Sequence, residues 1–223
     1  MMTREPLSVL ITGFGPFPGA AFNPSDVLVR RLLRSRIPGL RDARVSAHVF
    51  PTRYAAIDRE LPALIARHAP QVIVMFGLAP RAKMIRIETR ARNLLTSFPD
   101  AGRYSPPHRS IARHQPARHL RAAFTIRLLH AARTGGLPAS LSRDAGRYVC
   151  NYTLWKGLEA ADTSNIRPVV AFIHIPRVRG NRPRRALRRP RPALNDLLQV
   201  AQVIVAAACG EWRQQRIAAR LSG

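Results

Sequence analysis

The sequence predicts an α/β fold, a three-layer α/β/α sandwich around a mostly parallel twisted sheet, and three features predict it. The short runs "SVLITGF", "QVIVMFG" and "VVAFIHI" are continuously apolar, as inner strands buried on both faces are. Segments with helical spacing of apolar residues lie between the strand-like runs, so strands alternate with helices along the chain. Of the 223 residues 46% are hydrophobic, enough for a sizeable core and, at this length, for one domain spanning residues 1–223.

Taken in order, "SVLITGF" is ended by glycine and reads as the first strand. Ser25 is placed to cap a helix through "DVLVRRLLRSRI", which Pro38-Gly39 would close. "ARVSAHVF" alternates as a strand, "YAAIDRELPALIARH" has helical spacing, and "QVIVMFGLA" is a second continuous strand. "MIRIETRARN" alternates with period two and reads as one strand with an exposed face. Residues 97–118, rich in Pro, Arg and His, form an irregular excursion. A helix near "FTIRLLHAARTGG", a short strand "LPASLS", a helix following Cys150, the strand "PVVAFIHIP" and a long helix from about Ala193 complete the chain. Prolines and arginines make 176–192 a surface loop.

Thirty-seven basic residues against 12 acidic give a net charge of +25, which points either to a polyanion such as nucleic acid or to a solvated surface. Only Lys83 and Lys156 are lysines, and the arginines are spread along the whole chain, so a solvated surface from arginine-rich coding explains the excess better than a nucleic-acid partner does. Cys150 and Cys209 lie far apart in apolar segments, without disulfide or zinc spacing, which fits a reducing, cytoplasmic setting. No apolar run is long enough to span a bilayer, and the start of the chain lacks the h-region of a secretory signal. No histidine–acid spacing suggests a metal.

In open α/β sheets, sites gather at the carboxyl ends of strands. The loop "TGFGPFPGAAFNPS", the loop "GLAPRAK", the segment leading to Cys150, and His174 are each expected at that edge. "GFGPFPG" lacks phosphate-loop spacing, and its prolines remove amide donors. It offers Phe14 and Phe17 instead, two rings that serve equally as walls for a small flat uncharged group or as caps on the core. By its neighbours alone, Cys150 reads as a small core residue, while His174 serves equally as a satisfied core histidine and Glu88 equally as a solvent-facing strand residue.

Four segments carry a family resemblance. "VLITGFGPFPGAAFNPS", "GLAPRAKMIRIETRARN", "SRDAGRYVCNYTLWKGL" and "FIHIP" occur in the order and spacing of the type I pyroglutamyl peptidases, which they resemble over almost the whole chain. The resemblance implies a cysteine omega-peptidase, hydrolysing the N-terminal pyroglutamyl residue of peptides by a triad of Glu88, Cys150 and His174. It needs no cofactor and no metal. Phe14 and Phe17 become the walls for the lactam, and Asn23, in the family's NPS position, a residue that ties the loop together and borders the substrate. Asn93 matches an asparagine five residues after the glutamate. Family analogy also implies a homo-oligomer, a tetramer. A site for an uncharged lactam has no need of an acidic residue to receive an ammonium group.

This chain also departs from the family. Phe98 stands where an arginine near the reacting carbonyl is expected, Arg81 lies one position early after the glycine-led loop, and Pro176-Arg177 replaces Pro-Tyr. A degenerate member with altered specificity or little activity is therefore a second expectation, and a basic nucleic-acid-binding protein on a hydrolase-like scaffold a third.

Overall fold

The computed structural model describes residues 6–119, 122–179 and 191–221. Eight strands and five helices follow one another as β1 (Leu7–Phe14), α1 (Pro24–Arg34), β2 (Ala43–Phe50), α2 (Tyr54–His68), β3 (Val72–Leu78), β4 (Ile85–Glu88), β5 (Arg90–Arg92), β6 (Ala117–His119), α3 (Ala122–Thr134), β7 (Ala139–Ser142), α4 (Val149–Thr163), β8 (Val169–Ile175) and α5 (Leu194–Leu221). Six strands form the main sheet in the order β2-β1-β3-β8-β4-β7. The three continuously apolar runs are its inner strands β1, β3 and β8, as their burial on both faces requires.

Period-two alternation sends neighbouring side chains to opposite faces. Val9, Ile11, Val74, Ala171 and Ile173 meet α1, α3 and α5 on one face. Leu10, Ile73, Met75, Val170 and Phe172 meet α2 and α4 on the other, where Trp155 is fully buried. The result is the helix–sheet–helix sandwich, each large buried side chain contributing about 2 kcal/mol or more.

Several of the sequence expectations are corrected. α1 is capped by Asn23, whose side chain accepts from the Ser25 amide at 3.1 Å, while Ser25 lies inside the helix behind Pro24. The helix stops at Arg34, before Pro38-Gly39, because Ser35 turns extended. "MIRIETRARN" is two strands, since the Thr89 amide and hydroxyl both turn to the Ser142 carbonyl at 2.7 and 2.9 Å and end β4. β5 then pairs with β6 outside the main sheet, so the 97–118 excursion ends in a strand, and Glu88 is fully buried rather than solvent-facing.

A further correction concerns direction. β2, β1, β3 and β8 are mutually parallel, but β4 runs antiparallel to β8 and parallel to β7. Glu88 and the segment before Cys150 therefore do not leave the sheet at the shared carboxyl edge. Most of the 176–192 loop, residues 180–190, lies outside the described residues. Its flanks meet where the Arg179 amide donates to the Pro192 carbonyl at 2.9 Å.

Candidate active site

His174 sits near the end of β8, with its side chain on the α2–α4 face beside Phe172, ring centroids 4.9 Å apart. The antiparallel register pairs Arg86 with His174 and Ile87 with Ile173. That register sets Glu88 diagonal to His174 on the same face, within side-chain reach. Glu88 Oε1 and His174 Nδ1 are 2.8 Å apart, and both residues are buried. β4 thus delivers the carboxylate from the side of the imidazole.

Cys150 is the second residue of α4. The chain reaches it through Gly146 at φ +87°, a left-handed turn that favours glycine, with the Gly146 amide on Asp144 Oδ1 at 2.9 Å. Asn151 anchors the head of the helix: its side chain accepts from the Arg92 amide at 2.8 Å and donates to the carbonyls of Arg92 and Leu94 at 2.8 and 3.1 Å. From below, Gly77 leaves the sulfur its space, for a Cβ there would lie 3.0 Å from Cys150 Sγ.

With Nδ1 committed to Glu88, the other ring nitrogen of His174 is left for the Cys150 thiol. Burial alone would pull the imidazole down. The hydrogen bonds and negative charge of Cys150 and Glu88 outweigh it and push His174 up to about 9. Such a histidine carries its proton at neutral pH. Cys209 is the contrast: buried in α5, its thiol is pushed up to about 12 by desolvation, against a small opposing effect of Arg213.

A cavity of about 280 Å³ opens over Cys150 and His174. Phe14, Phe17 and Asn23 all line it, joined by Thr52, Leu78–Pro80, Arg86, Asp144–Gly146 and Tyr148. Phe14 is both wall and core: it is 1% exposed and tilts against Phe50 and Phe172 at 6.0 and 6.2 Å. Phe17 is half-buried and faces Tyr148 at 6.1 Å. Asn23 works through the backbone, its amide donating to the Gly15 carbonyl at 3.0 Å, where Thr52 Oγ1 also donates at 2.9 Å.

The wall contains one acidic residue, Asp144. Its carboxylate is paired with Arg92 and the Gly146 amide, so it is not free to receive an ammonium group. Arg86, Asn151, Tyr148 and Gly77 are site residues that sequence reasoning did not single out. Asn151 stands beside the cysteine in the quoted motif, and Gly77 interrupts an otherwise large-residue strand; Arg86 carried no signal beyond its charge. All four tyrosines of the chain gather here, with Tyr54 against Tyr104, Tyr148 and Tyr152 at ring distances of 6.3, 6.0 and 5.2 Å. Among the described residues no group of His, Cys, Asp and Glu could hold a metal, and no helix is long and apolar enough to cross a membrane.

The family model described as pyroglutamyl peptidase matches residues 7–209. The chain belongs to the pyroglutamyl peptidase family. A pyrrolidone-carboxylate peptidase of Thermococcus onnurineus is 31% identical over 202 residues, 89% of this chain and 97% of the relative. That of Gloeobacter violaceus is 35% identical over 194 residues, 86% and 90% of the two chains. The solved pyrrolidone carboxyl peptidase from Thermococcus litoralis superposes with a TM-score of 0.83 at 26% identity, covering 94% of this chain and 96% of the other. Pyroglutamyl peptidase I from Bacillus amyloliquefaciens gives 0.77 at 27% identity, covering 91% and 97%.

The departures of this pyroglutamyl peptidase family member have definite places. Phe98 is 51% exposed and sets its ring edge-on at 6.1 Å to Tyr148, which lines the cavity. Arg81 is exposed and outside the cavity lining. Arg177 reaches back to the first loop and donates to the Gly19 carbonyl at 3.1 Å. Asn93 binds the excursion from within, accepting from the amides of Ile111 and Ala112 at 2.7 and 2.9 Å, and so serves the loop rather than the cavity.

Proposed function

We propose that this chain is a cysteine omega-peptidase that hydrolyses the N-terminal pyroglutamyl residue from peptides, with Cys150 as nucleophile, His174 as acid and base, and Glu88 as the group that orients His174. The observation that carries the reading is the 2.8 Å Glu88–His174 bond, which leaves the imidazole's other nitrogen for a cysteine at the head of a helix. Pyroglutamyl peptides are the substrate, because the cavity is walled by aromatic rings and its one acid is already paired. The flat uncharged lactam fits against Phe14 and Phe17, and main-chain groups of the first loop, held by Asn23 and Thr52, orient it.

Attack by the Cys150 thiolate on the pyroglutamyl carbonyl forms a tetrahedral oxyanion. Tyr148, at the N-cap of α4, makes no side-chain capping bond, so first-turn amides are the donors for that oxygen. His174 then protonates the leaving amine, and a water, deprotonated by the same imidazole, releases pyroglutamate from the thioester. Glu88 fixes the tautomer and supports the imidazolium.

A chromogenic pyroglutamyl amide tests this. Cys150→Ala should abolish hydrolysis and His174→Ala should nearly do so, whereas Glu88→Gln should retain more, because an amide still orients the ring. Undiminished hydrolysis by Cys150→Ala would refute the assignment. The second reading, a member of little activity, is favoured by Phe98 standing in the arginine's place, since a lost donor costs roughly a hundredfold in rate. A wild type inert on every pyroglutamyl substrate despite an alkylatable Cys150, with activity gained by Phe98→Arg, would establish it.

A further inference from the structure

Arg86 enters the site from β4, the strand that carries Glu88, and the reading of Glu88 as the group behind His174 is the one on which this inference rests. Its guanidinium bridges three things at once. Nε lies 3.5 Å from Glu88 Oε1, and Nη2 donates to the Asp144 carbonyl at 2.8 Å and to the Ser142 hydroxyl. Ser142 ends β7, and the turn at Asp144–Gly146 leads into the helix that bears Cys150.

Glu88 has need of such a neighbour. It is fully buried; Oε1 is shared by His174 and Arg86, while Oε2 has no hydrogen-bond partner. A buried carboxylate with one oxygen unsatisfied stays ionised only with compensating positive charge close by. Among the described residues, Arg86 is the one permanently charged group paired with it. We infer that Arg86 is a positioning residue of this site, which holds the Glu88 carboxylate in place behind His174 and ties it to the turn that presents Cys150. A planar fork suits this, since it reaches a carboxylate and a carbonyl from one side chain.

The titratable and charged groups facing the Cys150–His174 pair are Glu88 and Arg86 from β4, Tyr54 from α2, and Asp144 and Tyr148 from the segment before α4. Removing the only cation in that set makes the remaining groups hold protons more tightly. In Arg86→Met the acid limb of Cys150 alkylation by iodoacetamide, read by mass spectrometry of the Cys150 peptide, should move about half a pH unit or more toward alkaline. Hydrolysis of the pyroglutamyl amide should fall mainly in kcat, with its acid limb shifted in the same direction. Arg86→Lys should keep the limb in place, because the charge persists, and still lower kcat, because an ammonium cannot span all three partners. Should Arg86→Met not fold, Arg86→Gln keeps a donor for the turn without the charge and must show the same shift.

A purely structural role would lower the melting temperature and leave the limb where it is, and a folded charge-removing variant with an unmoved limb overturns the inference. The alkylation profile does not depend on turnover. A shifted limb in a protein that hydrolyses no pyroglutamyl amide therefore upholds the role of Arg86 while refuting the proposed function, and normal hydrolysis with no shift does the reverse.

Discussion

Replacing Gly77 by alanine is the sharpest small perturbation of this site. The added Cβ would lie 2.8 and 2.9 Å from Cζ and Cε1 of Phe172 and 3.0 Å from Cys150 Sγ. Ordinary carbon contacts are at about 3.5–4.0 Å, so these atoms must separate by roughly 0.5–1 Å. The Phe172 ring has little room to yield, being flanked by Phe14 at 6.2 Å and His174 at 4.9 Å, and any movement toward the imidazole disturbs the same site. The sulfur is displaced either way. Overpacking of this kind costs about 1–3 kcal/mol, and in a chain of this size each kcal/mol lowers Tm by about 2–4 °C. A misplacement near 1 Å at a reacting atom costs on the order of a hundredfold in rate. We therefore expect Gly77→Ala to remain folded, with Tm lowered by several degrees, and to lose about two orders of magnitude in kcat/KM on a pyroglutamyl amide, with slowed Cys150 alkylation. Wild-type alkylation and hydrolysis in the alanine variant would refute the claim that Gly77 holds the sulfur's place.

Cys209 should resist iodoacetamide in the native protein and react only on unfolding, since burial pushes its thiol up to about 12; peptide mapping after brief alkylation checks this. The imidazole of His174 is raised from 6.5 to about 9 by its partners against desolvation, so its contribution to stability is complete below about 6.5 and is lost as pH rises through about 9. Thermal melts across that window should show the loss, and His174→Gln should flatten it. Asn23→Ala removes the cap of α1 and the donor on the Gly15 carbonyl; a loss of about 2 kcal/mol is expected in denaturant titrations. Asn23→Asp keeps the cap and loses the donor, so it should sit between the two in stability.

The inner strands were legible because burial on both faces leaves a continuous apolar run, as in "VVAFIHI", whatever the neighbours are. Strand direction leaves no such trace. Ile85 to Glu88 alternate equally well whether they run with β8 or against it, and only the closed sheet decides. The burial of Glu88 was hidden for the same reason: alternation marks faces but not which face is covered. Asn23 and Ser25 are both good capping residues, and the choice fell to Asn23 because Pro24 is tolerated at the first helical position. Cys150, His174 and Glu88 were found through motifs; the 2.8 Å contact of Glu88 with His174 beside a cavity that Cys150 lines is geometry that composition never implied. Arg86 escaped because one arginine among so many is chemically anonymous until its neighbours are known.

The antiparallel seam between β8 and β4 has a dynamic consequence. His174 and Glu88 belong to two strands joined by a backbone ladder in the middle of the sheet, so hydrogen exchange along this seam should require opening of the whole fold. Cys150 rides on a helix whose first turn has no capping side chain and is moored by Asn151 to the small outer strand β5. Exchange should therefore be uneven across the site, with the amides of the β8–β4 seam protected longer than those of the first turn of α4.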